Sequence, residues 1–224
     1  MPVCKLPDPS GARHLMAIII YVMAFVGGFS IMSLELLGGR VLAPYFGSSI
    51  YVWGSIITVF MLSLSFGYLI GGRLSVHRPS LQRFSLIFLA AAACLYPLVY
   101  FSEDIMVWIV ERVIDPRYGS LLASSALFIV PTVILGMISP YSVRLLVRTT
   151  EHAGQVAGML YFVSTLGSAI GTLATSFYFV LWFEINTILT LLTAALLAMA
   201  ALAAVTAWRG RSRPRDAGAV QVAS

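Results

Sequence analysis

Long apolar runs separated by short polar stretches dominate the chain. Six runs of about 20 residues hold almost no charged side chain, and they fall at residues 15–37, 50–72, 84–101, 121–139, 156–183 and 185–208. In hydrocarbon, backbone N–H and C=O groups have to be satisfied within a helix or a closed barrel, and runs of this length indicate helices. The pattern therefore predicts an all-α, polytopic membrane bundle with about six transmembrane helices.

Composition agrees with this pattern and leaves too few polar residues for a separate soluble domain. Of the 224 residues, 59% are hydrophobic and 10% are charged. We expect a tail at residues 1–14, a transmembrane domain at 15–208 and a basic, disordered tail at 209–224. The first run is longer than the apolar region of a signal peptide and no small-residue cleavage site follows it, so we expect it to stay as the first span.

The basic residues alternate between the two sides of the predicted bundle. One side carries three of them, Arg40, Arg112 and Arg117. The other side carries eleven, namely Lys5, Arg13, Arg73, Arg78, Arg83, Arg144, Arg148, Arg209, Arg211, Arg213 and Arg215. Cytoplasmic loops carry the excess of Lys and Arg, so both termini are predicted to be cytoplasmic and the protein to be a multi-pass protein of the inner membrane.

The connection at residues 102–120 is the longest on the predicted outer side. Apolar positions such as Met106 and Ile109 share one helical face, whereas Glu103, Asp104 and Glu111 face water. This spacing is typical of an amphipathic helix lying in the membrane interface. A short cap packed on the bundle is the other interpretation.

Two halves of the chain resemble each other weakly. Gly39 to Tyr45 and Gly136 to Tyr141 both end in Pro-Tyr, and the helix that follows each has two glycines four residues apart. The predicted topology places the first Pro-Tyr outside and the second inside. Two three-helix units of opposite orientation would form a 3+3 inverted repeat, an architecture of many transporters.

The densest group of candidate functional residues begins near the end of the first run. Glu35 is a carboxylate in an apolar span, Gly38-Gly39 follows it, and Arg40 is an available counter-charge. A helix break at the glycines would let Glu35 and Arg40 meet at an ion or substrate site, which would also include Tyr45. The alternative is a structural ion pair at the outer interface, with Arg40 extending toward water.

Two pairs of glycines have the small-xxx-small spacing that lets helices approach closely. We predict that Gly67 and Gly71 in the second span, and Gly167 and Gly171 in the fifth, pack against other helices. The hydroxyl residues between 164 and 176 add hydrogen-bonding capacity. They favour contacts between helices, and a polar stripe lining a small cavity is the alternative.

Candidate catalytic and metal-binding groups are sparse. His14, His77 and His152 fall at the predicted cytoplasmic edge, and Cys4 and Cys94 are too far apart in environment to predict a disulfide. No zinc, phosphate-loop or nucleophile motif is present. We therefore expect no metal, no cofactor and no enzymatic activity. The scattered basic residues also give no reason to expect a nucleic-acid partner.

Several motifs together resemble one family. These are Leu34-Glu35, Gly39-Arg40, Ala43-Pro44-Tyr45-Phe46-Gly47-Ser48-Ser49, Val52-Trp53, Gly67-Tyr68-x-x-Gly71-Gly72-Arg73-Leu74, Gly136-Met137-x-Ser139-Pro140 and Tyr161-x-x-Ser164-Thr165-Leu166-Gly167-Ser168-x-x-Gly171-Thr172. The chain resembles the membrane half of bacterial spermidine-synthase-like membrane proteins, which are described as major-facilitator/spermidine-synthase fusions. The similarity covers nearly all of residues 15–208.

The resemblance implies a transporter-like membrane module. Members of that family often carry a soluble aminopropyltransferase domain after the helices, and no such segment follows here, so we expect any such activity to belong to a separate soluble partner. The module would anchor this partner or move a small polar or cationic metabolite, with Glu35 binding a cation or proton. The alternative is a non-transporting structural subunit associated with other membrane subunits. A homo-oligomer is compatible with either function.

The predicted topology can be tested by cysteine labelling in intact cells. Single cysteines replacing Arg78 and Arg211 should be protected from a membrane-impermeant maleimide, whereas a cysteine replacing Arg117 should react. Arg78 and Arg211 positions found on opposite faces of the membrane would contradict this topology.

Overall fold

The computed structural model describes residues 9–76, 79–147 and 153–211. Every regular element in these ranges is a helix, and no strand occurs in them. Six helical segments are long and apolar enough to cross a membrane. The predicted all-α membrane bundle is therefore confirmed. The predicted tails lie mostly outside the described residues, as do Cys4, His77 and His152.

Nine helical elements in the described ranges make up the six spans. In chain order they are α1 (Pro9–Phe46), α2 (Ile50–Val76), α3 (Leu81–Val110), α4 (Pro116–Gly136), α5 (Ile138–Leu146), α6 (Ala153–Ala174), a π-helical turn (Thr175–Phe179), α7 (Val180–Trp182) and α8 (Ile185–Arg211). Spans 1, 2, 3 and 6 are α1, α2, α3 and α8. Span 4 combines α4 with α5, and span 5 combines α6, the π turn and α7.

Span 1 differs from its prediction because α1 runs unbroken through Gly38-Gly39 to Phe46. The two glycines serve packing instead of a break. A Cβ at Gly38 would lie 3.1 Å from the Phe128 ring, and one at Gly39 would lie 2.7 Å from the Trp53 ring. The helix break required by the first of the two interpretations is therefore absent: the missing side chains make room for aromatic rings while the helix continues.

The segment predicted as a long outer connection is mostly helix. Its first half continues α3 to Val110, and α4 already begins at Pro116, so residues 111–115 form the connection. Met106 and Ile109 are buried in the core, which holds this extension against the bundle. Of the two interpretations, the structure has the packed cap and not a separate interfacial helix.

Two spans contain irregular backbone. Span 4 breaks at Met137, directly after Gly136, and Pro140 falls in the first turn of α5, where its missing N–H is tolerated. Pro131, Gly136 and Pro140 lie around this break, and proline and glycine are common causes of irregular helix geometry. The π turn at Thr175–Phe179 in span 5 has no local sequence signal and was not predicted.

The packing of the spans has the pattern of an inverted repeat. Span 1 packs most extensively on span 5, span 2 on span 4, and span 3 on span 6. If span 1 is exchanged with span 4, span 2 with span 5 and span 3 with span 6, the contact between spans 1 and 5 becomes the contact between spans 4 and 2. The contact between spans 3 and 6 is unchanged. This exchange is the relation expected of two three-helix units with opposite orientation.

Glycines form the matching contacts in both halves. A methyl group at Gly67 would collide with the Val133 carbonyl of span 4, and a Cβ at Gly71 would lie 2.7 Å from the Met137 Cα. In the other half, Gly167 lies against the Phe25 carbonyl of span 1, and a Cβ at Gly171 would be 2.6 Å from the Phe29 carbonyl oxygen. Both glycine pairs therefore lie at helix–helix contacts.

The Pro-Tyr pairs do not follow this correspondence. Gly28 of span 1 corresponds to Gly136 of span 4. Gly28 packs against span 5 and Gly136 packs against span 2, and these are the two spans that carry the glycine pairs. Pro44 lies about four turns after Gly28, whereas Pro140 lies about one turn after Gly136. Tyr141 is fully buried, and its hydroxyl donates to the Ser80 carbonyl at 3.2 Å and accepts from the Ser80 N–H at 3.0 Å.

Hydroxyl groups reinforce the two matching contacts. Between spans 1 and 5, Thr175 donates to the Ser33 hydroxyl at 2.9 Å and Ser168 donates to the Gly28 carbonyl at 3.2 Å. Between spans 2 and 4, the Ser55 and Ser120 hydroxyls are 3.2 Å apart. These bonds favour the helix-contact interpretation of the hydroxyl residues in span 5.

Replacing either buried glycine should weaken the bundle. Gly67→Ala and Gly167→Ala each force a methyl group against a backbone carbonyl, and overpacking of this kind costs about 1–3 kcal/mol. We expect a lower midpoint of thermal unfolding in detergent, measured by circular dichroism. Gly72→Ala and Gly158→Ala are the controls, because nothing lies within 4 Å of a Cβ at either position. Equal effects at all four positions would contradict glycine-mediated packing.

Candidate functional site

The end of the bundle away from both termini, here called the distal end, contains a cavity of about 440 Å³. This volume lies in the range of small-molecule binding sites. Spans 1, 3, 5 and 6 meet around it. The distal cavity is lined by Arg40, Val41, Pro44, Tyr45, Ser102, Glu103, Met106, Val180, Phe183, Glu184, Ile185 and Asn186.

The C-terminal turns of α1 supply one wall of the distal cavity. Arg40 and Tyr45 reach it because α1 continues past the predicted end of the first span. Gly47 then ends the helix with φ +76°, and its N–H bonds the Ala43 carbonyl at 2.9 Å. A positive φ directly after a helix is favourable for glycine and unfavourable for other residues.

The extension of α3 supplies the opposite wall. Glu103 is exposed at the cavity and Met106, one turn later, is buried beneath it. This pairing of a polar rim with an apolar base follows from the amphipathic spacing of residues 102–110. The carboxylates of Glu103 and Asp104 are close enough to Tyr45 to interact with it electrostatically.

The tight turn between spans 5 and 6 closes the site. Phe183 is in an extended conformation, and the Glu184 carbonyl accepts the Ile188 N–H at 3.1 Å, so Glu184 caps the start of α8. The N-terminal end of a helix carries a partial positive charge. Glu184 and Asn186 thus add a carboxylate and an amide to the cavity wall at that end.

The charged side chains of the distal cavity have no partners within the described part of the chain. Arg40, Glu103 and Glu184 make no ion pair there, while Arg112 and Glu111 form an exposed one at 3.9 Å outside the cavity. One cation and two carboxylates therefore line the same cavity and remain able to bind a ligand. The two carboxylates can bind ammonium groups of a ligand. Arg40 can bind a ligand carboxylate or balance the charge of the two protein carboxylates.

Glu35 lies apart from this cavity. It is half-buried on α1, does not line the cavity, and forms no ion pair with Arg40. On a continuous helix, residues five apart point about 140° away from each other. Of the three residues predicted to form a site, the structure brings Arg40 and Tyr45 together and leaves Glu35 separate.

Sequence reasoning missed the acidic residues that line the cavity together with Arg40. The sequence pattern predicts that Glu103 faces water, and it gives no site role to Glu184 or Asn186. The usable signal was their shared location: the predicted topology places all of them at the same end of the bundle as Arg40. Helix packing decides which helix ends are neighbours in the bundle. The sequence pattern does not give this packing.

Metal-binding clusters are absent from the described ranges. No group of three or more His, Cys, Asp or Glu side chains there is arranged to hold a metal ion. Cys94 is a free thiol in span 3. Comparisons with protein-family models, with curated proteins and with solved structures found no match for this chain. Its resemblance to spermidine-synthase-like membrane proteins therefore rests on the sequence motifs alone.

Proposed function

We propose that this protein is a transporter-like module that binds a small polar or cationic metabolite at the distal cavity and moves it across the membrane. The observation that carries the proposal is the mixed charge of that cavity: Arg40, Glu103 and Glu184 share its wall, and none of them forms an ion pair with another described residue. All three side chains are exposed at that end of the bundle, so a ligand with complementary charge can reach them and form charge-assisted hydrogen bonds.

The architecture supports movement as well as binding. Inverted three-helix units place ligand sites where the two units meet, and alternating access arises from rocking of one unit against the other. Span 4 is interrupted at Met137 and span 5 at the π turn Thr175–Phe179. Span 4 belongs to the contact with span 2, and span 5 belongs to the matching contact with span 1. Such interruptions bend helices, and π turns occur often at functional sites.

Glu35 receives the coupling role in this proposal. It lies about 7.5 Å along α1 from Arg40, toward the membrane interior. A half-buried carboxylate without an ion pair there can bind a proton or a cation during transport. Arg40 and Tyr45 belong to the ligand site, and Glu35 to the energy-coupling step.

The opposite end of the bundle suits a soluble partner. Arg73, Arg83 and Arg144 are exposed there. We assign this surface to contact with a spermidine-synthase-like protein at the cytoplasmic face of the inner membrane. Such a partner would consume or supply the transported amine.

A structural subunit is the second candidate, and span 5 favours it. Only 17% of the most apolar window of span 5 is buried, against 39–50% in the other five spans. A helix of another membrane subunit packed along span 5 would cover this surface. In that case Glu35 would contribute to assembly and not to transport.

Radiolabelled spermidine is a suitable probe for the leading proposal. We expect saturable binding to the purified protein, weakened roughly 10- to 100-fold by Glu103→Gln or Glu184→Gln, because a charge-assisted hydrogen bond contributes about 1.5–3 kcal/mol. Glu111→Gln is the matched control, since Glu111 is an exposed carboxylate near the same end that does not line the cavity. Equilibrium dialysis measures all three variants.

Flux through proteoliposomes separates the two candidate functions. Glu35→Gln should abolish spermidine flux and leave binding within about twofold of wild type. A structural role would instead change the melting temperature or the assembly state alone. Absence of both saturable binding and flux in the wild type, or unchanged flux in Glu35→Gln, would contradict the proposed site.

A further inference from the structure

The charged side chains of the distal cavity come from three different walls. Arg40 lies on the C-terminal part of α1, Glu103 on the extension of α3, and Glu184 in the turn before α8. These are the charged residues among the described residues that line the cavity, so its wall has a single net negative charge. Asp104 is exposed beside Tyr45 and adds to the negative potential without lining the cavity. A ligand that balances this wall carries a single net positive charge.

Arg40 is available to an anionic group of the ligand. A residue that served only to balance the two glutamates would pair with one of them, yet Arg40 forms no ion pair with either of them or with any other described residue. Its planar guanidinium group offers parallel N–H donors that match a carboxylate. A ligand made only of ammonium groups would leave these donors unused and would be repelled by Arg40. The arginine therefore favours a ligand that contains a carboxylate.

The rest of the cavity wall is largely apolar. Met106 is buried at its base, and Val41, Val180 and Ile185 are partly exposed along its sides. A hydrocarbon segment of a ligand can pack against these side chains while charged groups at its ends stay at the polar rim. The volume of about 440 Å³ is in the lower half of the range for small-molecule sites, which favours a small molecule over a peptide.

We propose that the distal cavity selects a diamino monocarboxylic acid, the chemical class that includes lysine and ornithine. The ligand carboxylate binds Arg40, the two ligand ammonium groups bind Glu103 and Glu184, and the methylene chain between them packs on the apolar wall. Such a molecule carries a single net positive charge at neutral pH, opposite to the charge of the wall. This inference rests on the proposed function of the cavity as a ligand site and narrows the ligand from a cationic metabolite to a cationic amino acid.

Three related ligand classes match the wall less well. A diamine has no group for Arg40, and a neutral amino acid has one ammonium group for two glutamates. A dicarboxylic acid brings a second carboxylate toward Glu103 and Glu184 and is repelled by them. The proposal therefore predicts a ranking of ligands that differ from one another by single charged groups.

Competition binding to the wild-type protein tests this ranking without any substitution. Unlabelled ligands displace radiolabelled lysine from the purified protein in equilibrium dialysis. Lysine should bind roughly 10-fold more tightly than 1,5-diaminopentane, which lacks only the carboxylate, and than 2-aminohexanoic acid, which lacks only the second ammonium group. A factor of about 10 is the low end of the contribution of a charge-assisted hydrogen bond, and the low end applies because the three side chains are exposed.

Arg40→Gln separates recognition of the carboxylate from folding. The variant should bind lysine roughly 10-fold more weakly. It should bind 1,5-diaminopentane as tightly as the wild type or more tightly, because the repulsion between Arg40 and an ammonium group is removed. Arg112→Gln is the matched control and should leave both affinities unchanged, since Arg112 is an exposed cation near the same end that does not line the cavity.

The outcomes distinguish this inference from the proposed function. If 1,5-diaminopentane binds the wild type as tightly as lysine while spermidine binding is saturable, the amino-acid assignment is overturned and the proposed function stands. Equal losses of lysine and 1,5-diaminopentane in Arg40→Gln, or an equal loss of lysine in Arg112→Gln, would also overturn the assignment. If lysine, 1,5-diaminopentane and spermidine all fail to bind saturably, the proposed function itself is overturned.

Discussion

Close backbone contact is the interaction on which this bundle depends. Lipid tails are as apolar as leucine side chains, so burying apolar surface between two helices in a membrane gives little free energy. Association then relies on van der Waals packing and hydrogen bonds between helices. In this protein the glycines of span 2 meet the backbone of span 4, and those of span 5 meet span 1. Hydroxyl bonds such as Thr175 to Ser33 accompany them. The two contacts are equivalent under exchange of the halves, which gives the six spans their inverted arrangement.

The sequence predicted the features that depend on hydropathy and missed those that depend on neighbours. Six spans and their order follow from apolar runs alone, and all six are present. The apolar run predicts too short an α1 because Gly38, Gly39 and Arg40 end the run without interrupting the helix. Gly38-Gly39 was interpreted as a break, yet the rings of Phe128 and Trp53 occupy the space above these glycines. The position of these two rings depends on tertiary packing, which the local sequence does not specify.

The candidate site was half predictable for the same reason. Arg40 and Tyr45 belong to one dense motif, so sequence alone could group them. Glu103 and Glu184 come from the α3 extension and from the turn before α8, and they join Arg40 only because spans 1, 3, 5 and 6 converge at the distal end. These charged side chains are exposed and form no ion pair among the described residues, which leaves them accessible to a ligand.

Disulfide trapping in native membranes tests the inverted pairing most directly. The Ser33 and Thr175 hydroxyls are 2.9 Å apart, and those of Ser55 and Ser120 are 3.2 Å apart. Cysteines replacing either pair therefore lie within the reach of a disulfide. We predict efficient cross-linking for Ser33→Cys with Thr175→Cys and for Ser55→Cys with Ser120→Cys. The exchanged pairs, Ser33→Cys with Ser120→Cys and Ser55→Cys with Thr175→Cys, should stay reduced. Cross-linking of the exchanged pairs, or of neither predicted pair, would contradict the account.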